Sequence, residues 1–569
     1  MTSSKRSNGA ALKTYRQREK GAFRRWPILL AVVILLVSCA PLGATRTPEP
    51  TPTLTLPPTP TVGPTPIYPV LTLDPVRPKL LAFPGPPHYE GDLLTLEIDV
   101  GQGVEEKEAT VTMQLDDGER YEVTGQWERH YLEVQFDTDG LTGTHTLDIE
   151  AEQGVVRVDE EYTFEVMPAS QRPEQEEDAA WVSRDLECCT LHYITNTAAA
   201  RDIEYITGVV EEAVAEFEND YPVELEEKLD IYFIDRMWFN GAFGGPGELL
   251  IVYTDRYYGP TVGAEGLEIL VQHEMGHAVF PHFSYNEGLC VYLADGHYHP
   301  HPLPKRAAAM QELGYFDPEE GAYHGPNKHH EVIYLHQAAI VTYIIETYGW
   351  EGLQTFIEAD NEDGGDFSEA GRNELFEQTL GVSQETFQSN FVDWIESQEP
   401  GEQVEDLELT IELQNLRRKY QDRYTPWPWV LLGFAEESFA RPEYLRANIR
   451  EPRTPAHIAT ELLIAHAQEA LVADRYTEAR TLIQVIDRVV SHGRLDDPVA
   501  REYGAIAYLL AEEGYEAVAL ELHDDRAEVQ VTASPPELMT MTLHKVEGQW
   551  QLDEALESSY IGPATGSGY

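Results

Sequence analysis

The sequence predicts a multidomain chain of mixed class: an antiparallel β-sandwich, then an α+β domain, then a helical unit that ends in a small antiparallel sheet. Three observations predict it. The 569 residues exceed what one hydrophobic core serves at roughly 100–200 residues per domain, so three or four folded units are expected. Runs that alternate apolar and polar residues dominate from about residue 75 to 167, which is the period of half-buried strands. Beyond residue 180 strand-like runs mix with helical periodicity, and beyond 400 the helical pattern prevails until alternation returns at 515.

Charge divides the chain before any element does. Lys and Arg number 40 against 99 Asp and Glu, a net −59. Eight of the basic residues fall in Met1–Ser38 with one acid, which leaves 32 basic and 98 acidic side chains, or −66, on the rest. Such a field repels phosphate backbones and anionic headgroups, so nucleic acid is excluded as a partner. With 42% apolar and 10% aromatic residues, wholesale disorder is excluded as well.

Residues 1–38 read as an export signal: the basic stretch runs into Trp26–Ser38, thirteen mostly apolar residues. That is short of the roughly 20 a bilayer span needs but matches a signal core. The segment ends in LVSC at Leu36–Cys39, which resembles a bacterial lipobox and implies cleavage before Cys39 and lipidation of its sulfur. An uncleaved anchor extending through Ala40–Ala44 is the alternative, because basic flanks suit both. In either case the body is exported to the cell envelope or surface and tethered. Residues 39–74 are Thr/Pro-rich, a composition that favours extended polyproline II and reads as a stalk.

From 75 to 168, six alternating runs separated by turn signals, with a hairpin turn at Asp116–Gly118, predict a sandwich of immunoglobulin-like type that serves as a spacer. An acidic linker follows to Ala180. The segment 181–398 carries strand runs at TLHYIT, LDIYFID and ELLIVYTD and helical patterns around residues 199–220, 265–280 and 332–349. A helical region spans 401–500, in which residues 457–490 form a helix pair with a tetratricopeptide flavour. A small α+β accessory domain takes 501–556, two strand pairs turning at Asp524-Asp525 and Glu547-Gly548, and resembles the sheet of nuclear-transport-factor-like domains. Cys188, Cys189 and Cys290 imply no disulfide framework and are expected as thiols, with a bridge from Cys188 or Cys189 to Cys290 as the alternative.

The chemistry concentrates in HEMGH at His273–His277. On a helix, positions i and i+4 stack on one face, so both imidazoles reach one tetrahedral ion, while Glu274 can touch a water bound to it. A catalytic zinc needs a third protein ligand and one open position. Glu287, at the start of a second helix, leads; His282, Asp295 and His297 are rivals. Ser284-x-x-Glu287 is also a capping-box pattern, so Glu287 could cap its own helix instead. The spacing after His277 lacks the glycine and the offset histidine of metzincins.

Taken together, residues from about Leu186 to Trp394 resemble a peptidase MA-like domain, a gluzincin related to thermolysin and to the membrane alanyl aminopeptidases. The resemblance rests on HEMGH, on NEGL at Asn286–Leu289, and on the segment from Tyr334 to Gly349 followed by TLGVSQETFQSNFVDWI. It implies a thermolysin-like α+β fold, a Zn²⁺ held by His273, His277 and Glu287, Glu274 as the base toward the zinc-bound water, and Tyr334 as a transition-state donor. The reaction it implies is hydrolysis of peptide bonds in extracellular peptides or proteins. The ten residues from His277 to Glu287 make a tighter connection than is usual in that group, and Cys290 stands where a small residue usually follows Glu-Gly-Leu. The strand Glu248–Asp255 corresponds to the edge on which such enzymes lay an extended peptide. Two other readings stay open: a surface binding lipoprotein whose peptidase-like domain captures ligands without cleaving them, and a metal-storage protein using His297, His299, His301, His329 and His330.

Overall fold

Alternation becomes pairing along residues 80–167. The strands are β1 (Leu80–Phe83), β2 (His88–Tyr89), β3 (Leu93–Asp99), β4 (Lys107–Leu115), β5 (Tyr121–Glu128), β6 (Tyr131–Asp137), β7 (Gly143–Gln153) and β8 (Val156–Met167). Alternate residues Leu94, Leu96 and Ile98 of β3, Val111 and Met113 of β4, and Leu147 and Ile149 of β7 point into one core around Trp127, as the period of two requires. The computed structural model describes residues 68–552 apart from 76–78, 102, 129, 222–224, 226–227, 237–240, 256–262, 281, 298–299, 318–321, 324–329, 363–368, 427–441, 451–452 and 534–536. The expected leader Met1–Ser38, Cys39 and most of the Thr/Pro-rich stretch lie outside the described residues. Among the described residues no helix is long and apolar enough to cross a membrane.

The molecule is mixed α/β and multidomain, with four sheets among the described residues. The first eight strands form one hydrogen-bonded order, β1-β3-β6-β5-β4-β7-β8-β2, rather than the two separate sheets expected of an immunoglobulin-like sandwich. The join between β5 and β6 is narrow, limited to the pairs from Gln126↔Glu133 to Glu128↔Tyr131.

The second sheet comprises β9 (Trp181–Asp185), β10 (Cys189–Ile194), β11 (Leu229–Ile234), β12 (Ala242–Gly245) and β13 (Glu248–Val252), ordered β12-β13-β11-β10-β9. Strands β10, β11 and β13 run parallel, and β12 and β9 close the two edges antiparallel. The strand expected as an edge, Glu248–Asp255, is β13, which pairs with β11 on one side and β12 on the other, so on that side of the sheet the outer strand is β12. The acidic linker after the first sheet contains α1 (Glu174–Glu177), and Thr197 caps α2 (Ala198–Arg201) ahead of α3 (Ile203–Asp220). Cys188 and Cys189 are joined to each other at the entry to β10, contrary to the expectation of thiols, and Cys290 is free and buried.

Helices α4 (Gly263–Val279), α5 (Asn286–Leu293), α6 (Leu303–Glu312), α7 (His330–Glu362), α8 (Glu369–Thr379) and α9 (Gln384–Glu396) share a core with this sheet. Helix α7 breaks at Gly349, where φ is 77°, a left-handed value glycine adopts without penalty. A further core unites α10 (Gln403–Tyr424) with later helices and the last sheet. Helix α11 (Pro442–Ile449), after the short pair β14 (Phe316–Asp317) and β15 (Ala322–Tyr323), packs instead in a small core with Phe83, Ile194 and Ile234. The later elements of the α10 core are α12 (Pro455–Val472), α13 (Tyr476–His492), α14 (Pro498–Glu512), β16 (Glu516–Leu522), β17 (Arg526–Ala533), β18 (Glu537–Val546) and β19 (Gln549–Leu552). The expected pair at 457–490 is α12 and α13. The β18–β19 turn has positive φ at both Glu547 and Gly548, the twist a two-residue hairpin needs.

Buried charge ties distant segments together. Arg450 donates to Asp92 Oδ2 at 2.7 Å and to Glu176 Oε2 at 2.9 Å, which joins the first sheet, the linker and the residue after α11. Residues 68–75, the end of the Thr/Pro-rich stretch, lie against the last unit: Leu73 N–H donates to Gly493 O and Leu495 N–H to Leu71 O.

Candidate metal centre

Helix α4 presents two faces. Leu267, Val271 and Met275 enter the core, and Leu270, His273, Glu274 and His277 line a cavity of about 430 Å³. The second set follows i, i+3, i+4, i+7, one stripe of a helix. Helix α5 meets α4 closely because Gly276 leaves room; a Cβ there would fall 2.7 Å from Cys290 Sγ. On its other side, Gly288 presses on α7, where a Cβ would stand 2.2 Å from the Gln337 carbonyl carbon. These two glycines set where Glu287 stands.

The Oε2 atom of Glu287 lies 3.4 Å from His273 Nε2 and 3.3 Å from His277 Nε2. That oxygen is buried and has no hydrogen-bond partner among the described residues. The capping alternative is not what forms: α5 has no side-chain cap, and Ser284 bonds Asp360 through both its N–H and its hydroxyl. Ligand-type atoms of His273, His277 and Cys290 also fall within 4.8 Å of one another, a cluster that could hold a metal ion. Burial pushes the Cys290 thiol well above its usual pKa, with the Glu287 and Glu274 charges adding to the effect, so the sulfur is neutral as it stands. A buried carboxylate oxygen aimed between two imidazole nitrogens is a donor set that suits a divalent cation such as zinc.

Electrostatics separates the roles. Burial lowers the His273 pKa to about 4 despite contact with Glu287. For His277, burial also disfavours the charge, but Glu287 and Glu274 outweigh it and raise the pKa. Burial likewise opposes ionisation of Glu287, yet its contacts with the two histidines dominate and hold it ionised. Glu274 is 5% exposed, and burial raises its pKa to about 8, His277 pulling it down and Glu287 up. Asn286 Nδ2 sits 2.6 Å from His277 Nδ1 while its Oδ1 is buried without a partner. Rotating that amide by 180° would let Oδ1 accept from Nδ1–H, the tautomer that frees Nε2 for a cation.

Tyr334 lines the same cavity, its ring nearly parallel to that of His273 at 6.0 Å between centroids. Two histidines that the sequence offered as metal-storage residues, His297 also as a rival third ligand, are there too. His297 donates from Nδ1 to buried Glu331 at 2.5 Å and lies 4.7 Å from the Tyr334 ring. His330 sits one turn before Tyr334, with its ring 3.9 Å away. His282 is exposed at the cavity wall, whereas Asp295 and His301 are not part of the lining; His299 and His329 lie outside the described residues. Sequence reasoning missed three contributors: the edge strand β12, where a Cβ at Gly244 would fall 2.5 Å from Glu274 O and 2.9 Å from its Oε2, and Arg417 and Arg418 of α10.

No protein-family model matches the chain, and no curated protein does. Among solved structures it is similar to an aminopeptidase N family protein from Idiomarina loihiensis, at 9% identity and a TM-score of 0.13 over 84% of this chain and 98% of that one. A likeness at that level carries no argument about fold or chemistry.

Proposed function

We propose that the protein is a zinc-dependent metallopeptidase of gluzincin type, exported and tethered through a lipid on Cys39, which hydrolyses peptide bonds of extracellular peptides or proteins. The observation that carries the reading is the approach of Glu287 Oε2 to the Nε2 atoms of both His273 and His277, with the buried carboxyl of Glu274 beside them. In this reading His273, His277 and Glu287 hold the metal, and Cys290 is a packing residue over Gly276. When bound, zinc supplies Lewis acidity and acidifies water at the site.

Glu274 receives the proton of the attacking water as the new C–O bond forms. It then delivers that proton to the amide nitrogen as the C–N bond breaks, so no proton is lost or gained overall. Glu274, whose pKa stands at about 8 without a metal, would be the ionised acceptor once the neighbouring donors held a cation. Tyr334 donates to the oxygen on which charge develops. Asn286 keeps the His277 tautomer. The β12 edge, lined by Gly241–Gly244 at the cavity, offers main-chain groups to an extended peptide. A side chain at Gly244 would meet Glu274, so glycine there lets the strand pass close to the base.

The test is a diverse peptide mixture incubated with the purified chain, with chelator, and with zinc restored. Cleavage that stops on chelation and returns with zinc is the expected result. Cleavage indifferent to chelator, or none by zinc-loaded protein, counts against the reading.

A further inference from the structure

The cavity wall has a part that comes from outside the α4–α7 cluster. Helix α10 is locked to α6 by buried Arg306, which pairs with Asp406 and approaches Glu331 Oε1 at 3.6 Å. Glu331 in turn holds His297. Some three turns further along α10, Arg417 and Arg418 reach the same cavity as Glu274 and Glu287. Arg417 is 4% exposed. Arg418 is half-buried, and its Nε–H is buried with no acceptor among the described residues. The charges that sense Arg418 are Asp422, one turn along the helix, and His330, whose pKa falls to about 3 through burial first and then the His297 and Arg418 charges.

Two adjacent guanidinium groups are notable in a chain of net charge −59. Among the described residues the acidic and basic side chains lining the cavity, histidines apart, are Glu274, Glu287, Arg417 and Arg418. A dication on the His273, His277 and Glu287 donors leaves that lining with a surplus of two positive charges. Burying a guanidinium is unfavourable unless an anion meets it. The planar fork of arginine matches a carboxylate with two parallel hydrogen bonds.

We infer that the site selects peptides bearing a carboxylate, recognised by Arg418 of α10. The inference rests on the peptidase reading for the identity of the ligand as a peptide. The carboxylate is either the peptide's own C-terminus or an acidic side chain near the scissile bond, and the experiment separates the two.

Four matched peptides serve as probes: free acid or C-terminal amide, each with Glu or Gln beside the bond to be cut. Their affinity for the chelator-treated full chain is measured by calorimetry, and kcat/KM is measured with the zinc-loaded chain. The expected result is a preference of about 10- to 100-fold for the carboxylate-bearing member in both readouts, the range of hydrogen bonds to charged partners. Preference that follows the terminus assigns the α-carboxylate, and preference that follows Glu assigns the side chain. Arg418→Met should remove most of it by raising KM, Arg418→Lys should keep part of it, and Arg418→Glu should turn the preference toward a Lys-containing peptide. Equal handling of all four peptides, or an acid preference that survives Arg418→Glu, overturns the inference while leaving the peptidase reading intact. Carboxylate-dependent binding without any cleavage supports the inference while removing the peptidase reading.

Discussion

Replacing Glu274 with Gln should stabilise the metal-free protein, and the gain should grow with pH. Glu274 is buried, and its folded-state pKa of about 8 stands above the ordinary 4.5. A group raised in this way binds its proton more tightly in the folded state. The stability it contributes is therefore fully present below 4.5 and is lost as pH rises through about 8. That interval converts, at about 1.36 kcal/mol per pH unit, to a ceiling of about 5 kcal/mol of destabilisation at alkaline pH. Glutamine fills nearly the same volume and never ionises. Groups remote from the site titrate alike in both proteins, so the difference between them reports Glu274 together with His277, whose pKa the Glu274 charge helps to raise. Denaturant unfolding of chelator-treated wild type and Glu274→Gln, followed by tryptophan fluorescence, makes the comparison. Near pH 5.5, safely above the sequence pI of 4.5, the variant should gain only about 1 kcal/mol, and near pH 8.5 about 3 kcal/mol more than that. An advantage that does not grow with pH refutes the argument that burial holds this carboxyl in its neutral form.

Further expectations follow from the ligand set. Glu287→Ala should lose stoichiometric zinc while Cys290→Ala keeps it, and zinc-edge absorption should show only light-atom neighbours; a sulfur shell near about 2.3 Å would instead assign Cys290. Zinc affinity should fall about tenfold per pH unit below the raised pKa of His277, because one proton must leave that imidazole, and more steeply below about 4, where His273 also protonates. Competition with a chromogenic chelator across pH measures that slope, and a flat profile contradicts the assignment of His277. Gly288→Ala places a methyl 2.2 Å from backbone of α7; with no flexible side chain to yield, it should cost about 3 kcal/mol or more and weaken zinc binding through Glu287. Calorimetric melting and zinc titration of that variant should move together.

Much of the fold was legible because local period reports burial directly. The six runs between 93 and 167 are strands, α4 covers the HEMGH segment, and the Glu547-Gly548 turn closes a hairpin. The three expected ligands meet because each lies on a helix whose inward face the pattern marks. What escaped notice lacks such a period. Strand β12 is four residues, AFGG, too short and too glycine-rich to alternate. His297 and His330 were named as candidate metal residues, but their place beside Tyr334 follows from contacts with Glu331 and Tyr334 that no spacing announces. Arg417 and Arg418 lie more than 120 residues beyond Glu287 and read locally as the solvated side of a helix; the buried Arg306–Asp406 pair brings that helix to the site. The Asp92–Arg450 contact spans 358 residues, and neither residue signals it.

In the proposed reaction Glu274 is the group that moves the proton. The direct measurement is peptide hydrolysis by wild type and Glu274→Gln prepared at equal zinc occupancy, each checked by metal analysis. Since loss of a general acid–base residue costs about 10²- to 10⁴-fold, the account predicts zinc retained in both proteins and turnover reduced by at least that range in the variant. Equal turnover at equal zinc would contradict it.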